Sequence, residues 1–185
     1  GVAGLIEKAA KNRFVPIEPV EEKEYYPLSS AQERLFFLQQ MDLEGTGYNM
    51  PILLELIGDL HIETLTGTFK KLIHRHESFR TSFHIIAGKT VQKIHQEVDF
   101  KMEHIPMGRM ILEGLIKEFI RPFDLSRAPL LRVGLVKTGD DSHLLMLDMH
   151  HIISDGTSTV VLAREFMDLY SGKDIPPLSI QYKDY

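Results

Sequence analysis

The 185-residue sequence contains no cysteine. Disulfides and thiolate catalysis are therefore excluded, which allows a reducing cytoplasm, the localisation expected for this chain. A basic excess is also missing: Lys and Arg number 21 against 26 Asp and Glu, a net charge of −5. That balance argues against a nucleic-acid partner, which selects a basic face. No apolar run approaches the ~18 residues that a membrane span requires, so no membrane partner is expected. The N-terminus, Gly1-Val2-Ala3-Gly4, lacks the basic-then-apolar layout of a secretory leader. Gly1 is not an initiator Met and the sequence stops at Tyr185 without a recognisable tail, so a piece of a longer polypeptide is expected.

What is present is an alternation of helix and strand patterns. Leu5 to Arg13 reads as helix. Phe14 to Pro27 carries Pro16, Pro19 and Pro27 among glutamates and reads as a stiff, extended connector or an ordered arm. Ser29-Ser30-Ala31-Gln32-Glu33 offers two capping-box registers, Ser29 with Gln32 or Ser30 with Glu33. The helix it opens should run to about Gln40, burying Leu35, Leu38 and one of the two Phe residues. Pro51 to Ile57 reads as strand. Ile62 to His76 reads as amphipathic helix, with Ile62, Leu65, Phe69, Leu72 and Ile73 at three-to-four spacing.

Arg80 to Ile86 and Thr90 to Ile94 read as a hairpin across Ala87-Gly88-Lys89. Met110 to Ile120 reads as helix, stopped by Pro122. Leu130 to Lys137 and Ser142 to Met149 form a second hairpin, and their imperfect alternation implies a strand buried on both faces. Thr157 to Tyr170 reads as helix, with Val160, Val161, Ala163 and Phe166 available for packing. Ser171-Gly172-Lys173 closes it before Pro176-Pro177. The order gives an α/β layered domain, and the hairpins imply a mixed sheet. No internal repeat or low-complexity segment occurs.

The chemistry concentrates in Met149-His150-His151-Ile152-Ile153-Ser154-Asp155-Gly156. A polar cluster at the carboxyl end of a buried strand is where open α/β sheets place ligands. Neighbouring residues of an extended chain point opposite ways, so one His faces a cleft and the other is structural. A neutral imidazole can take a proton from an attacking amine, hydroxyl or thiol. Asp155 can orient a His, or pair with an Arg and hold the loop. Gly156 permits a turn or a close backbone approach, and Thr157-Ser158 can cap the following helix. A metal site would need a fuller donor shell than two adjacent His and one Asp.

Three motifs and the opening of a fourth together resemble the condensation domain of nonribosomal peptide synthetases over residues of about 25 to 185. Ser30-Ala31-Gln32-Glu33-Arg34-Leu35-Phe36-Phe37-Leu38 is similar to the family's first motif. Arg75-His76-Glu77-Ser78-Phe79-Arg80-Thr81-Ser82-Phe83 resembles its second, with Phe79 in place of the usual Leu. Met149 to Gly156 resembles its third, and Tyr182-Lys183-Asp184-Tyr185 the opening of its fourth. The resemblance implies a lobe of chloramphenicol acetyltransferase type over 28–185, a linker over 14–27, and the last helix of an upstream carrier domain over 1–13. A second, C-terminal lobe is expected to complete the active-site tunnel, and the 185 residues alone are expected to be inactive.

By the same resemblance, the reaction is amide formation between an upstream aminoacyl or peptidyl thioester and a downstream aminoacyl thioester. Both substrates arrive on the phosphopantetheine of peptidyl carrier domains, with no cofactor bound directly and an adenylation domain as the further partner. His151 matches the catalytic His, His150 the structural one, and Gly156 lends a backbone N–H near the reacting centre. Asp155 matches a structural Asp paired with an Arg, Arg80 or else Arg75, a pair whose loss costs roughly 3–5 kcal/mol. Tyr48-Asn49-Met50-Pro51, the Ile-Ile-Ser of the loop and Thr157 resemble the class taking an L-configured donor. The rival readings are an epimerization domain of the same family and a metal-dependent hydrolase.

Overall fold

The computed structural model describes residues 16–106 and 112–185. The helix expected over 5–13 therefore lies outside the described residues, as does the start of the one expected from Met110. From Pro16 onward the connector runs without regular structure to β1 (Tyr26–Pro27). Helix α1 (Ser30–Met41) follows, then β2 (Asn49–Ile57), α2 (Ile62–Arg75) and a 3-10 turn at Glu77–Arg80. The hairpin of β3 (Thr81–Ile86) and β4 (Lys89–Ile94) comes next, then β5 (Glu103–Ile105) and α3 (Leu112–Phe119). The chain finishes with β6 (Leu131–Lys137), β7 (Ser142–His150), α4 (Gly156–Tyr170) and a 3-10 turn at Tyr182–Asp184.

Two sheets form, and the larger is the mixed sheet that the hairpins implied. One is antiparallel, in the order β1-β4-β3; the other runs β2-β7-β6-β5, with β5 parallel to β6 and the other pairs antiparallel. Strand β7 lies inside the second sheet, and every residue from Leu145 to His150 is buried. Both of its faces are covered, which explains its continuous apolar run. Gly134 of β6 lies where the Phe119 ring packs: a Cβ there would stand 2.8 Å from it. The break in alternation at Gly134 is thus a packing requirement.

Local chemistry sets the ends of the elements. The capping box of α1 uses Ser29 with Gln32: the Ser29 Oγ accepts from the Gln32 N–H at 3.3 Å and the Gln32 Oε1 from the Ser29 N–H at 3.0 Å. The buried face of α1 is Gln32, Phe36 and Gln39, while Leu35 and Leu38 are only half-buried and Phe37 is exposed. The expectation of a leucine face fails because the buried positions of α1 serve polar anchors. In α2 the periodicity holds: Leu65, Phe69, Leu72 and Ile73 are buried, with Ile62 at the exposed first turn. The β3–β4 connection is two residues, Ala87 at φ 50° and Gly88 at φ 76°, and Lys89 already belongs to β4. Positive φ at both positions fits the primed hairpin turns.

Helix α4 packs on α2 through Leu162, which is buried, and Phe166, whose ring is 5.1 Å from that of Phe69. Val160, Val161 and Ala163, which were available for packing, are exposed. One face of α4 packs inward and the other opens on the site described next. Gly172, at φ 79°, lets its own N–H and that of Lys173 reach the carbonyls of Leu169 and Asp168, closing the helix.

Candidate active site

Strand β7 delivers the His pair, and its pleat separates the two rings. His150 is 0% exposed, whereas His151 is exposed. The His150 Nδ1 accepts from the Ile152 N–H at 3.1 Å, so Nε2 carries the proton and donates to the Gln39 Oε1 at 3.1 Å. Burial, with a smaller contribution from His151, pushes the His150 imidazole down to about 4. His150 is therefore a neutral, fully buried ring of fixed tautomer.

His151 is held differently. Its backbone N–H donates to the Tyr48 carbonyl at 2.8 Å and its Nδ1–H to the Ser154 carbonyl at 2.9 Å. With the proton fixed on Nδ1, the Nε2 lone pair is left for a substrate. The ring borders a cavity of about 380 Å³, lined also by His76, Phe79, Ser154, Leu162 and Tyr182. A backbone carbonyl thus orients the ring, where a triad would use a carboxylate.

Among the described residues, Asp155 neither orients His151 nor pairs with an arginine. It is the N-cap of α4: its Oδ1 accepts from the Ser158 N–H and the Ser158 Oγ, each at 2.7 Å. Those two bonds, backbone first, hold its carboxyl below the usual range against the opposing effect of burial. The cap is thus Asp155, where Thr157 or Ser158 was expected. The side chain turns into its own helix terminus, where the orphan N–H groups and the helix dipole favour a carboxylate.

The two arginines expected beside Asp155 are engaged elsewhere. Arg80 donates to the carbonyls of Ile73 at 3.2 Å, of Gln96 at 3.3 Å and of His95. Arg75 grips Glu165 of α4 with bonds of 2.9 and 3.2 Å, and His76 Nε2–H donates to the same carboxylate at 2.6 Å. Burial raises the Glu165 carboxyl, but the Arg75 and His76 bonds outweigh it and leave it lowered. Arg80 ties α2 to residues 95–96 after β4, and Arg75 ties α2 to α4 and to the Pro176 carbonyl. The ion pair of this region is Arg75–Glu165.

Gly156 is the first residue of α4, so its N–H has no intrahelical partner. No group outside its own turn stands within 4 Å of where a Cβ would project, so the space before it is open. Among the described residues, no three His, Asp or Glu side chains are placed to share a metal ion.

Several contributors carried weak signals in the sequence. Gln39 lies three residues past Phe36 on a buried face, a polar residue at an apolar position. Asp148 is a charge inside the run Leu144-Leu145-Met146-Leu147-Asp148-Met149 and is 0% exposed. Glu165, Tyr48 and Ser154 act through carbonyls or long-range pairing, and nothing local marks them.

The fold has known counterparts. A sequence model described as Condensation domain matches residues 22–185. The chain belongs to the condensation-domain family. It is 51% identical over its whole length to gramicidin S synthase 2 of Brevibacillus brevis and 48% identical to bacitracin synthase 3 of Bacillus licheniformis. It spans 4% and 3% of those proteins. Among solved structures it is similar to the complex of the X-domain and OxyB from teicoplanin biosynthesis, with a TM-score of 0.83 and 28% identity. That match covers 92% of this chain and 39% of the other. The first condensation domain of the CDA synthetase matches at a TM-score of 0.72 and 22% identity, over 86% of this chain and 44% of that one, which shows a common fold. The fold is α/β of the chloramphenicol acetyltransferase type that condensation domains share, and this chain is part of one lobe.

Proposed function

We propose that the site forms peptide bonds between two carrier-bound thioesters. The observation that carries this reading is the His151 ring: Nδ1 tied to the Ser154 carbonyl, Nε2 free beside the cavity. An acceptor amine hydrogen-bonded to Nε2 is aimed at the donor carbonyl carbon. Attack forms the C–N bond and a tetrahedral oxyanion, for which the Gly156 N–H is the donor within this chain. Collapse breaks the C–S bond, and the proton lost by the amine ends on the departing thiolate.

An α-amine has a pKa near ~7.7–8.0, so much of it is already neutral at cellular pH. Placement of the amine and acceptance of its proton are two separable contributions of His151. General-base help is worth ~10²–10⁴-fold, and alignment alone can reach a similar size.

The partners in this reading are an upstream and a downstream peptidyl carrier domain, each presenting its substrate on phosphopantetheine, and the adenylation domain of the module. Residues 1–13 are the end of the upstream carrier and 14–27 its linker. The 185 residues span about two fifths of the solved chains they match; a C-terminal lobe completes the tunnel, and without it the site is inactive. The donor is L-configured, on the resemblance carried by Tyr48 to Pro51, the Ile152-Ile153-Ser154 run and Thr157. The assembly works in the cytoplasm; no helix among the described residues is long and apolar enough to cross a membrane.

The test is reconstitution of the complete domain carrying this sequence with a donor-loaded and an acceptor-loaded carrier. The expected product is the amide on the acceptor carrier. Release of free acid, or a donor returned with inverted configuration and no amide, overturns the reading in favour of hydrolysis or epimerization.

A further inference from the structure

Beneath the His pair lies a polar cluster that the proposed chemistry does not touch. Asp148 precedes His150 by two residues, so both side chains project from the same face of β7. Arg132 of β6 is the register partner of Asp148, and Asn49 of β2 that of His150. The Asp148 Oδ2 accepts from the Arg132 Nη1 at 2.9 Å and from the Asn49 Nδ2 at 2.6 Å. Arg132 also donates to the carbonyls of Arg121 and Pro122, and Asn49 donates to that of Arg121 at 3.1 Å. The guanidinium lies 3.6 Å from the Phe123 ring centroid, and Phe123 meets His150 edge-on with centroids 6.1 Å apart.

As a source of stability this cluster is poor. A buried ion pair roughly breaks even against apolar residues of the same volume. Here the Asp148 Oδ1 and the Asn49 Oδ1 are buried with no hydrogen-bond partner among the described residues. What the cluster does deliver is position. It fixes the 121–123 backbone so that Phe123 abuts His150. It fixes the start of β2, whose neighbouring Tyr48 carbonyl receives the His151 N–H.

We infer that Arg132, Asp148 and Asn49 form a positioning brace, which sets the His150–His151 backbone from below through Phe123 and Tyr48. The inference rests on the proposed role of His151. The brace acts on the chemical step: it leaves carrier binding alone, because none of its groups reaches the cavity beside His151.

The experiment is steady-state condensation by the complete domain, with thermal unfolding of each variant. Arg132→Met/Asp148→Leu replaces the pair by apolar groups of similar volume. Its melting temperature should stay or rise, while kcat falls ~10–100-fold, the scale of an ångström of misplacement. KM for the acceptor carrier should stay within about twofold, because uniform binding is untouched. Phe123→Leu keeps the ion pair and removes the edge contact; it should lower kcat ~3–10-fold at unchanged KM, and it decides the matter should the double variant not fold. A folded double variant with wild-type kcat, or a loss of kcat that only tracks loss of folded protein, overturns the inference. His151→Ala runs alongside: if it keeps wild-type activity, the reading of the site fails and not the brace.

Discussion

Asp148 and His150, two residues apart and both fully buried, respond to acid in opposite directions. Burial lowers the His150 imidazole to about 4. Burial raises the Asp148 carboxyl to about 6, against the Asn49 bond and the Arg132 charge. The same burial lowers the Arg132 guanidinium to about 10, so for both partners desolvation outweighs their attraction. As pH falls, the unfolded chain protonates its His150 first, near 6.5, while the fold resists until about 4. Stability is therefore lost across that window. For Asp148 the fold takes the proton first, so stability is gained as pH falls from about 6 towards 3.8, and lost as it rises through the same range.

Between pH ~7 and ~4.5, linkage gives a loss of roughly 2–3 kcal/mol from His150 and a gain of about 2 kcal/mol from Asp148. In the wild type the two nearly cancel. Asp148→Asn removes the gain and should steepen the acid loss by about 2 kcal/mol relative to wild type. His150→Gln removes the loss and should make the chain relatively acid-resistant by roughly 2–3 kcal/mol. Urea unfolding of the three proteins at the two pH values measures this. The pH difference within each protein is the readout, because Asp148→Asn also lowers the neutral-pH midpoint by leaving Arg132 without its counter-charge. Equal pH differences in all three would refute the reasoning.

Asp155→Ala should cost about 1 kcal/mol, the worth of a helix cap, and Asp155→Asn much less. A loss of roughly 3–5 kcal/mol in urea unfolding would point instead to a buried ion pair. Gly134→Ala should destabilise by ~1–3 kcal/mol, because the new methyl meets the buried Phe119 ring; an unchanged midpoint contradicts that packing. Ala87→Gly should stabilise by about 0.5–1 kcal/mol, since Ala87 holds φ 50° in the hairpin turn; a lower midpoint contradicts the turn assignment.

Elements with a clean period were legible in sequence: α2, the two hairpins and the doubly buried β7 all stand where periodicity placed them, within a residue or two. Their pattern is local, and local patterns survive tertiary packing. The opposite facing of His150 and His151 was legible for the same reason, since a strand must turn adjacent side chains apart. The partners of those side chains were not. Asp155 was expected to meet Arg80 or Arg75, yet it caps its own helix, and the arginines reach backbone carbonyls and Glu165. Pairing depends on which strands become neighbours, and motif spacing does not encode that. On α1 the sequence misled because Gln32 and Gln39 take buried positions that composition assigns to leucine. Their value lies in the bonds they make, Gln39 to His150 above all.

The most direct test of the account is the rate of amide formation by His151→Ala in the complete domain, with donor and acceptor carriers both loaded. The free Nε2 of His151 requires a fall of ~10²-fold or more, with the donor thioester intact on its carrier. Amide formation at the wild-type rate would contradict the account.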